Sequence, residues 1–210
     1  MPDILILGAS GQIARHVIAM LGGDPNLRLT LFARNPKKLT APANAELVQG
    51  DVLDGAKLKS AVAGKDIVYA NLTGEDLDDQ ARAVIAAMKE TGVRRLVFVL
   101  SLGIYDEVPG KFGNWNNAMI GEDLKPFRRA ADAIEASGLD YTIIRPAWLM
   151  DEDEVDYHLT ERNEPFQGTV VSRKSVAGLI TAIVRSPQLH RNGNLGVSKP
   201  GTDADKPYFM

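Results

Sequence analysis

Residues 4–21 read ILILGASGQIARHVIAML: an apolar run, a turn of small residues, then a stretch with helical spacing. Asp3 to Gly8 is nearly all apolar, as a strand covered on both faces requires. From Gln12 onward, Ile13, Val17 and Leu21, with Ala14 and Ile18 beside them, line one face of a helix. The turn between is Gly8-Ala9-Ser10-Gly11-Gln12-Ile13-Ala14. Glycine at a strand exit permits a tight turn, and a second glycine lets a pyrophosphate approach the backbone. The free N–H groups and dipole of the helix start then favour the anion. The spacing is Gly-x-x-Gly-x-x-Ala rather than Gly-x-Gly-x-x-Gly, and a plain βα turn also uses Gly and Ser. Placed after a buried strand at the head of a βαβ chain, it points to a dinucleotide held at Gly8, Ser10, Gly11, Gln12 and Ile13.

The rhythm continues. LRLTLFAR (27–34), AELVQGD (45–51), DIVYANL (66–72), RRLVFVLS (94–101) and LDYTIIRP (139–146) read as the second to sixth strands. Between them lie helical segments at 55–63, capped by Asp54, at 75–90, with Val84 and Met88 inward and a Thr91-Gly92 stop, and at 125–138. Such alternation predicts an α/β fold with a doubly wound, mostly parallel sheet and helices on both faces. After Pro146 the pattern weakens. Residues 151–164 are acidic and polar, GTVVS (168–172) is a short strand, and 175–186 is a last helix with Ser172 or Ser175 near its start. NLGVSKPG (194–201) reads as an edge strand. With no repeat or linker, residues 1–210 form one domain, in which about 147–170 and 190–210 make a smaller, substrate-side part.

Composition narrows the classes. Hydrophobic residues are 45% and charged residues 24% of the 210, ordinary for a globular chain, and the net charge of -3 gives nucleic acid no basic tract to bind. No apolar run approaches the roughly 20 residues of a membrane span. Asp3 leads directly into a strand, which is not a signal-peptide pattern, so a cytoplasmic location is the default expectation. There is no cysteine, and His16, His158 and His190 are far apart, so no metal site is expected.

The end of the second strand bears on the kind of dinucleotide. An NAD site places a carboxylate there for the ribose 2′-hydroxyl. Here no carboxylate lies between Leu27 and Glu46, and the strand ends in Arg34, Asn35, Lys37 and Lys38. A 2′-phosphate needs cations and donors, and a guanidinium offers two parallel hydrogen bonds. The alternative is a solvated basic loop; the favoured reading is NADP, with NADPH preferred over NADH and Arg34 and Lys38 at the phosphate.

GASGQIAR, FARNPKKL, VQGDVLD, YANLTG, LVFVLS and SGLDYTIIRPAWL occur in an order that resembles the atypical short-chain dehydrogenase/reductases, the NmrA-like NAD(P)-binding group. The resemblance covers roughly residues 3–185 and implies a Rossmann-type domain. It implies Asp51 and Val52 at the adenine, Asn71, Leu72 and Thr73 beside the riboses, and Pro146 and Ala147 against the nicotinamide amide. Ser101 matches the active-site serine, and Lys125 the lysine that holds the nicotinamide ribose. Plainer roles stand beside these: Asp51 capping a turn, Ser101 ending a strand, Lys125 solvated. Family reductases place a tyrosine four residues before the lysine as the proton donor. Here that position is Gly121. The nearby candidates are Tyr105, and Tyr157 or His158 in the acidic segment; Tyr105 otherwise packs at the rim, and Tyr157 and His158 belong either to a lid over the nicotinamide or to a surface or interface loop.

Two functions follow from the resemblance. One is a reductase passing hydride from NADPH to a small acceptor such as a flavin or quinone, which needs little proton assistance. The other is a non-catalytic NADP(H)-binding redox sensor. Sugar epimerase or dehydratase chemistry ranks last, because it needs the tyrosine. The resemblance also leaves a homodimer open.

Overall fold

Ile4 and Ile6 of strand β1 (Asp3–Leu7) enter one layer of the core, Leu5 and Leu7 enter the other, and all four are fully buried. A strand apolar on both faces therefore has helices on both. The computed structural model describes residues 1–210, apart from the side chain of Lys38. After β1 come α1 (Gln12–Leu21), β2 (Arg28–Ala33), a 3-10 turn at Pro36–Lys38, β3 (Ala45–Gln49), α2 (Gly55–Val62), β4 (Ile67–Ala70), α3 (Leu77–Thr91) and β5 (Arg95–Val99). The second half contains α4 (Gly110–Ile120), α5 (Leu124–Glu135), β6 (Asp140–Pro146), β7 (Trp148–Met150), β8 (His158–Thr160), β9 (Val170–Ser172), α6 (Arg173–Arg185) and β10 (Gly193–Ser198).

The main sheet runs β3-β2-β1-β4-β5-β6-β10-β8, parallel throughout except for β8. Chain direction across the sheet reverses between β1 and β4, and the crevice at the carboxyl ends of these strands is where such folds bind ligands. The α1–α6 pair covers one face; α2, α3 and α5 cover the other. The expected caps are present. Asp54 accepts from the Lys57 amide at 3.2 Å, Gly92 is left-handed at φ 76° after α3, and Ser172 accepts from the Ser175 amide at 2.9 Å. Among the described residues no helix is long and apolar enough to cross a membrane.

Three features differ from expectation. β10 is not an edge strand, because β8, drawn from the polar segment, pairs antiparallel to it. β7 and β9 form a separate two-stranded sheet, whereas β8 and β10 join the main one, so residues 147–170 and 190–210 do not form one unit of sheet. Helix α4 has no counterpart among the expected elements: it contains two glycines and three asparagines, poor helix formers, and buries only Phe112 and Asn116.

Candidate cofactor groove and active site

The turn after β1 is shaped by the exit of β4. Gly8 has φ 71°, and a Cβ there would lie 2.2 Å from the Asn71 carbonyl oxygen; a Cβ on Gly11 would lie 1.9 Å from Asn71 Nδ2. Asn71 cannot easily give way. Its amide donates to Leu7 O at 3.0 Å, and its Oδ1 accepts from the Tyr69 hydroxyl at 3.3 Å. Burial pushes the Tyr69 phenol well above its ordinary pKa, so it remains a neutral donor. The Gly8 and Ala9 amides both donate to Phe32 O, at 3.1 and 3.2 Å, which brings the end of β2 against the turn. Gly11 caps α1 without a side chain, so among the described residues the amides of Gln12, Ile13 and Ala14 have no acceptor. Such donors at a helix start suit a pyrophosphate.

From this turn a groove of about 560 Å³ crosses the carboxyl ends of the strands. It brings together Gly11, Gln12 and Ile13, then Asn71, Leu72 and Thr73, then Ser101, and finally Pro146 and Ala147. Ser101 is placed by its neighbours: the Leu100 amide donates to Ile144 O at 2.8 Å and the Leu102 amide to Pro146 O at 3.2 Å. The groove is also lined by residues without a sequence assignment: Ile120 of α4, Phe127 of α5, and Trp148 and Leu149 of β7 at its far end, and Arg173 of α6. Trp148 donates from Nε1 to the buried Asn116 at 2.9 Å, and its ring lies 4.9 Å from that of Trp115. Periodicity gave no sign of this wall because α4, which supports it, has so little apolar face.

Gly8 and Ser10 belong to the turn itself. Arg34 is exposed just beyond β2, where its carbonyl accepts from Gln49 Nε2 at 3.1 Å. The side chain of Lys38 lies outside the described residues. Asp51 accepts from the Leu53 amide at 3.0 Å, a local turn, while Val52 packs into the core face that contains Phe32 and Leu58.

Lys125 and Tyr105 are not among the groove's lining residues. The Lys125 ammonium is exposed and engaged by Glu122 at 2.6 Å. Tyr105 opens instead onto a separate cavity of about 550 Å³. Its ring lies between guanidinium groups, 4.2 Å from Arg162 and 4.7 Å from Arg128, and its hydroxyl accepts from Asn194 Nδ2 at 2.8 Å. Burial, more than the nearby Glu135 carboxylate, raises the Tyr105 pKa. Tyr157 and His158 also lie off the groove, the histidine exposed on β8.

The loop leaving Ser101 is fixed by charge. Arg145 is fully buried and pairs with the buried Glu107. The Glu107 carboxylate also accepts from the Gly103 and Tyr105 amides at 3.0 and 2.9 Å, and Arg145 Nε donates to Asn194 Oδ1 at 2.8 Å.

Strand order, the glycine-bound turn and the uncapped helix start together define a Rossmann-type dinucleotide-binding protein of the atypical short-chain dehydrogenase/reductase class. The chain belongs to the NAD(P)H-binding family, whose model matches residues 8–187. A solved Rossmann-fold NAD(P)-binding family protein from Shigella flexneri is 60% identical, with a TM-score of 0.87 and both chains covered in full. A short-chain dehydrogenase/reductase from Veillonella parvula, solved in complex with NADP, is 28% identical over 99% of each chain, with a TM-score of 0.91. The uncharacterized sugar epimerase YhfK of Bacillus subtilis is 31% identical over 82% of this chain and 78% of that protein. Several curated reductases also match, and the chain spans about half of their length.

Proposed function

We propose that this protein is an NADPH-dependent reductase that delivers hydride to a small planar acceptor such as a flavin or quinone. One observation carries the reading: among the described residues no Tyr, His, Asp or Glu lines the groove, while Ile120, Phe127, Trp148 and Leu149 make its far end apolar. A site of this kind positions a ring well and transfers protons poorly. A reduced flavin or quinone is a stabilised anion that takes its proton from water, so positioning suffices. Sugar epimerisation, which needs a resident base, is poorly served. Bound NADPH supplies the hydride. Gln12, Ile13 and Ala14 offer amides to its pyrophosphate, Asn71 to Thr73 flank the riboses, and Pro146 and Ala147 back the nicotinamide. Ser101 gives a hydroxyl to the acceptor carbonyl or the nicotinamide amide. Arg34 and Lys37, with no carboxylate nearby in sequence, favour the 2′-phosphate. The curated reductases among the relatives support the reductase part of this reading.

The missing acid equally suits an NADP(H)-binding redox sensor, and one experiment separates the two. The protein is titrated with NADPH, NADP and NADH, then mixed with NADPH and a flavin or small quinone while nucleotide oxidation is followed. A preference for NADPH that Arg34→Ala abolishes, with turnover lost in Ser101→Ala, is the expected result. Unequal affinities for NADPH and NADP without oxidation by any acceptor identify a sensor. Failure to bind nucleotide overturns both readings.

A further inference from the structure

The stretch VSRKSVAGLI (171–180) has so far served only to start α6, yet it also places Arg173 in the groove. We propose that Arg173 is a ligand of the cofactor's anion, gripping the phosphate on the nicotinamide side of the pyrophosphate; this rests on the nucleotide reading of the groove.

Position comes first. Thr181 Oγ1 lies 3.6 Å from Met20 Sδ, and Arg185 Nη2 donates to Met20 O at 3.3 Å, so the far ends of α6 and α1 lie together. Thr181 is eight residues beyond Arg173, and Met20 is eight beyond Gln12. At the common rise of a helix this sets the start of α6 at Arg173 level with the first turn of α1. Gln12, Ile13 and Arg173 accordingly line one groove.

The guanidinium's remaining valence points the same way. Nη1 donates to Asp151 Oδ1 at 2.9 Å. Nε is buried and has no acceptor, and among the described residues none reaches Nη2 either. Nη2 is therefore left over, and this charged nitrogen can donate to a phosphate oxygen in the groove. A buried N–H without an acceptor is costly unless a ligand completes it. Asp151 acts as a positioning residue. Its own segment is strapped down by Lys174 on Asp153 at 2.5 Å and by Lys199 on Glu154 at 2.8 Å, so the carboxylate holds the guanidinium by Nη1 and leaves Nη2 without an acceptor.

The test measures affinities by calorimetry for NADPH, NADP and adenosine 2′,5′-bisphosphate, a fragment that lacks the nicotinamide-side phosphate. In Arg173→Met the affinity for NADPH and NADP falls about ten- to a hundredfold, while the fragment binds within about twofold of wild type. The fragment thus reports that the variant is folded. Arg173→Lys, which keeps the charge without the planar guanidinium that Asp151 orients, falls between. Equal losses for fragment and dinucleotide overturn the proposal, as does undiminished dinucleotide binding. Unchanged dinucleotide affinity with a raised acceptor KM assigns the guanidinium to the acceptor and also overturns it. If the wild-type protein binds neither dinucleotide, the nucleotide reading itself has failed, and the two failures are told apart.

Discussion

The turn at Gly8 and the loop at Glu107 both leave the sheet at the carboxyl ends of parallel strands, and they are held by opposite means. At Gly8 backbone lies against backbone, with no room for a Cβ and no charged side chain. At Glu107 a buried carboxylate gathers two amides and the Arg145 guanidinium. The first device leaves the amides of α1 without protein acceptors, available to an anion. The second satisfies its donors internally. Free donors are therefore found at the glycine turn, and internally satisfied ones at the ion pair.

The sharpest test of that division is Glu107→Ala, which strands a fully buried guanidinium. It should destabilise the protein by about 3–5 kcal/mol in urea unfolding, while nucleotide affinity in the folded fraction stays near wild type. Replacing both partners with methionine should recover much of the loss. If Glu107→Ala instead abolishes nucleotide binding in folded protein, the two regions are not separate. Gly8→Ala should cost less stability, about 1–3 kcal/mol, and more affinity, because Asn71 and the α1 amides must shift together. Unchanged NADPH binding in that variant would show that the close approach is not needed. The smallest effect belongs to Tyr105→Phe. It removes one hydrogen bond from Asn194, worth about 1 kcal/mol, and should leave hydride transfer intact; a large fall in turnover would place the phenol in the chemistry.

The same contrast explains what could be read in advance. The glycine turn is local: an apolar run, Gly8, Gly11 and a helical face adjoin in the chain, so β1, α1 and the parallel sheet were legible. The Arg145 cluster is assembled from afar, since Glu107 and Asn194 stand 38 and 49 residues from Arg145. A strand arginine in LDYTIIRP offers no sign that it is fully buried. Tyr105 was singled out for its hydroxyl, but its place is set by Arg128, Arg162 and Asn194, which sequence proximity does not connect to it. Lys125 was placed by resemblance alone, and a carboxylate three residues before it, Glu122, engages the ammonium. Trp148 and Arg173 were missed because the first depends on α4, whose glycines and asparagines conceal a helix, and the second begins a helix expected two residues later.

The packing of α6 on α1 also bears on how the chain folds. Leu5 and Leu7 can find their partners in α2 and α3 within the first 91 residues, but Ile4, Ile6 and Val17 share their layer with Ile180, Ile183 and Val184. That layer, which α1 begins to cover, is completed only by contacts some 170 residues away in sequence, which slows its closure. During synthesis the part of this layer that α6 covers, rather than α1, stays exposed long after the opposite face is closed, and it is there that a nascent chain is most open to misassociation or to a chaperone.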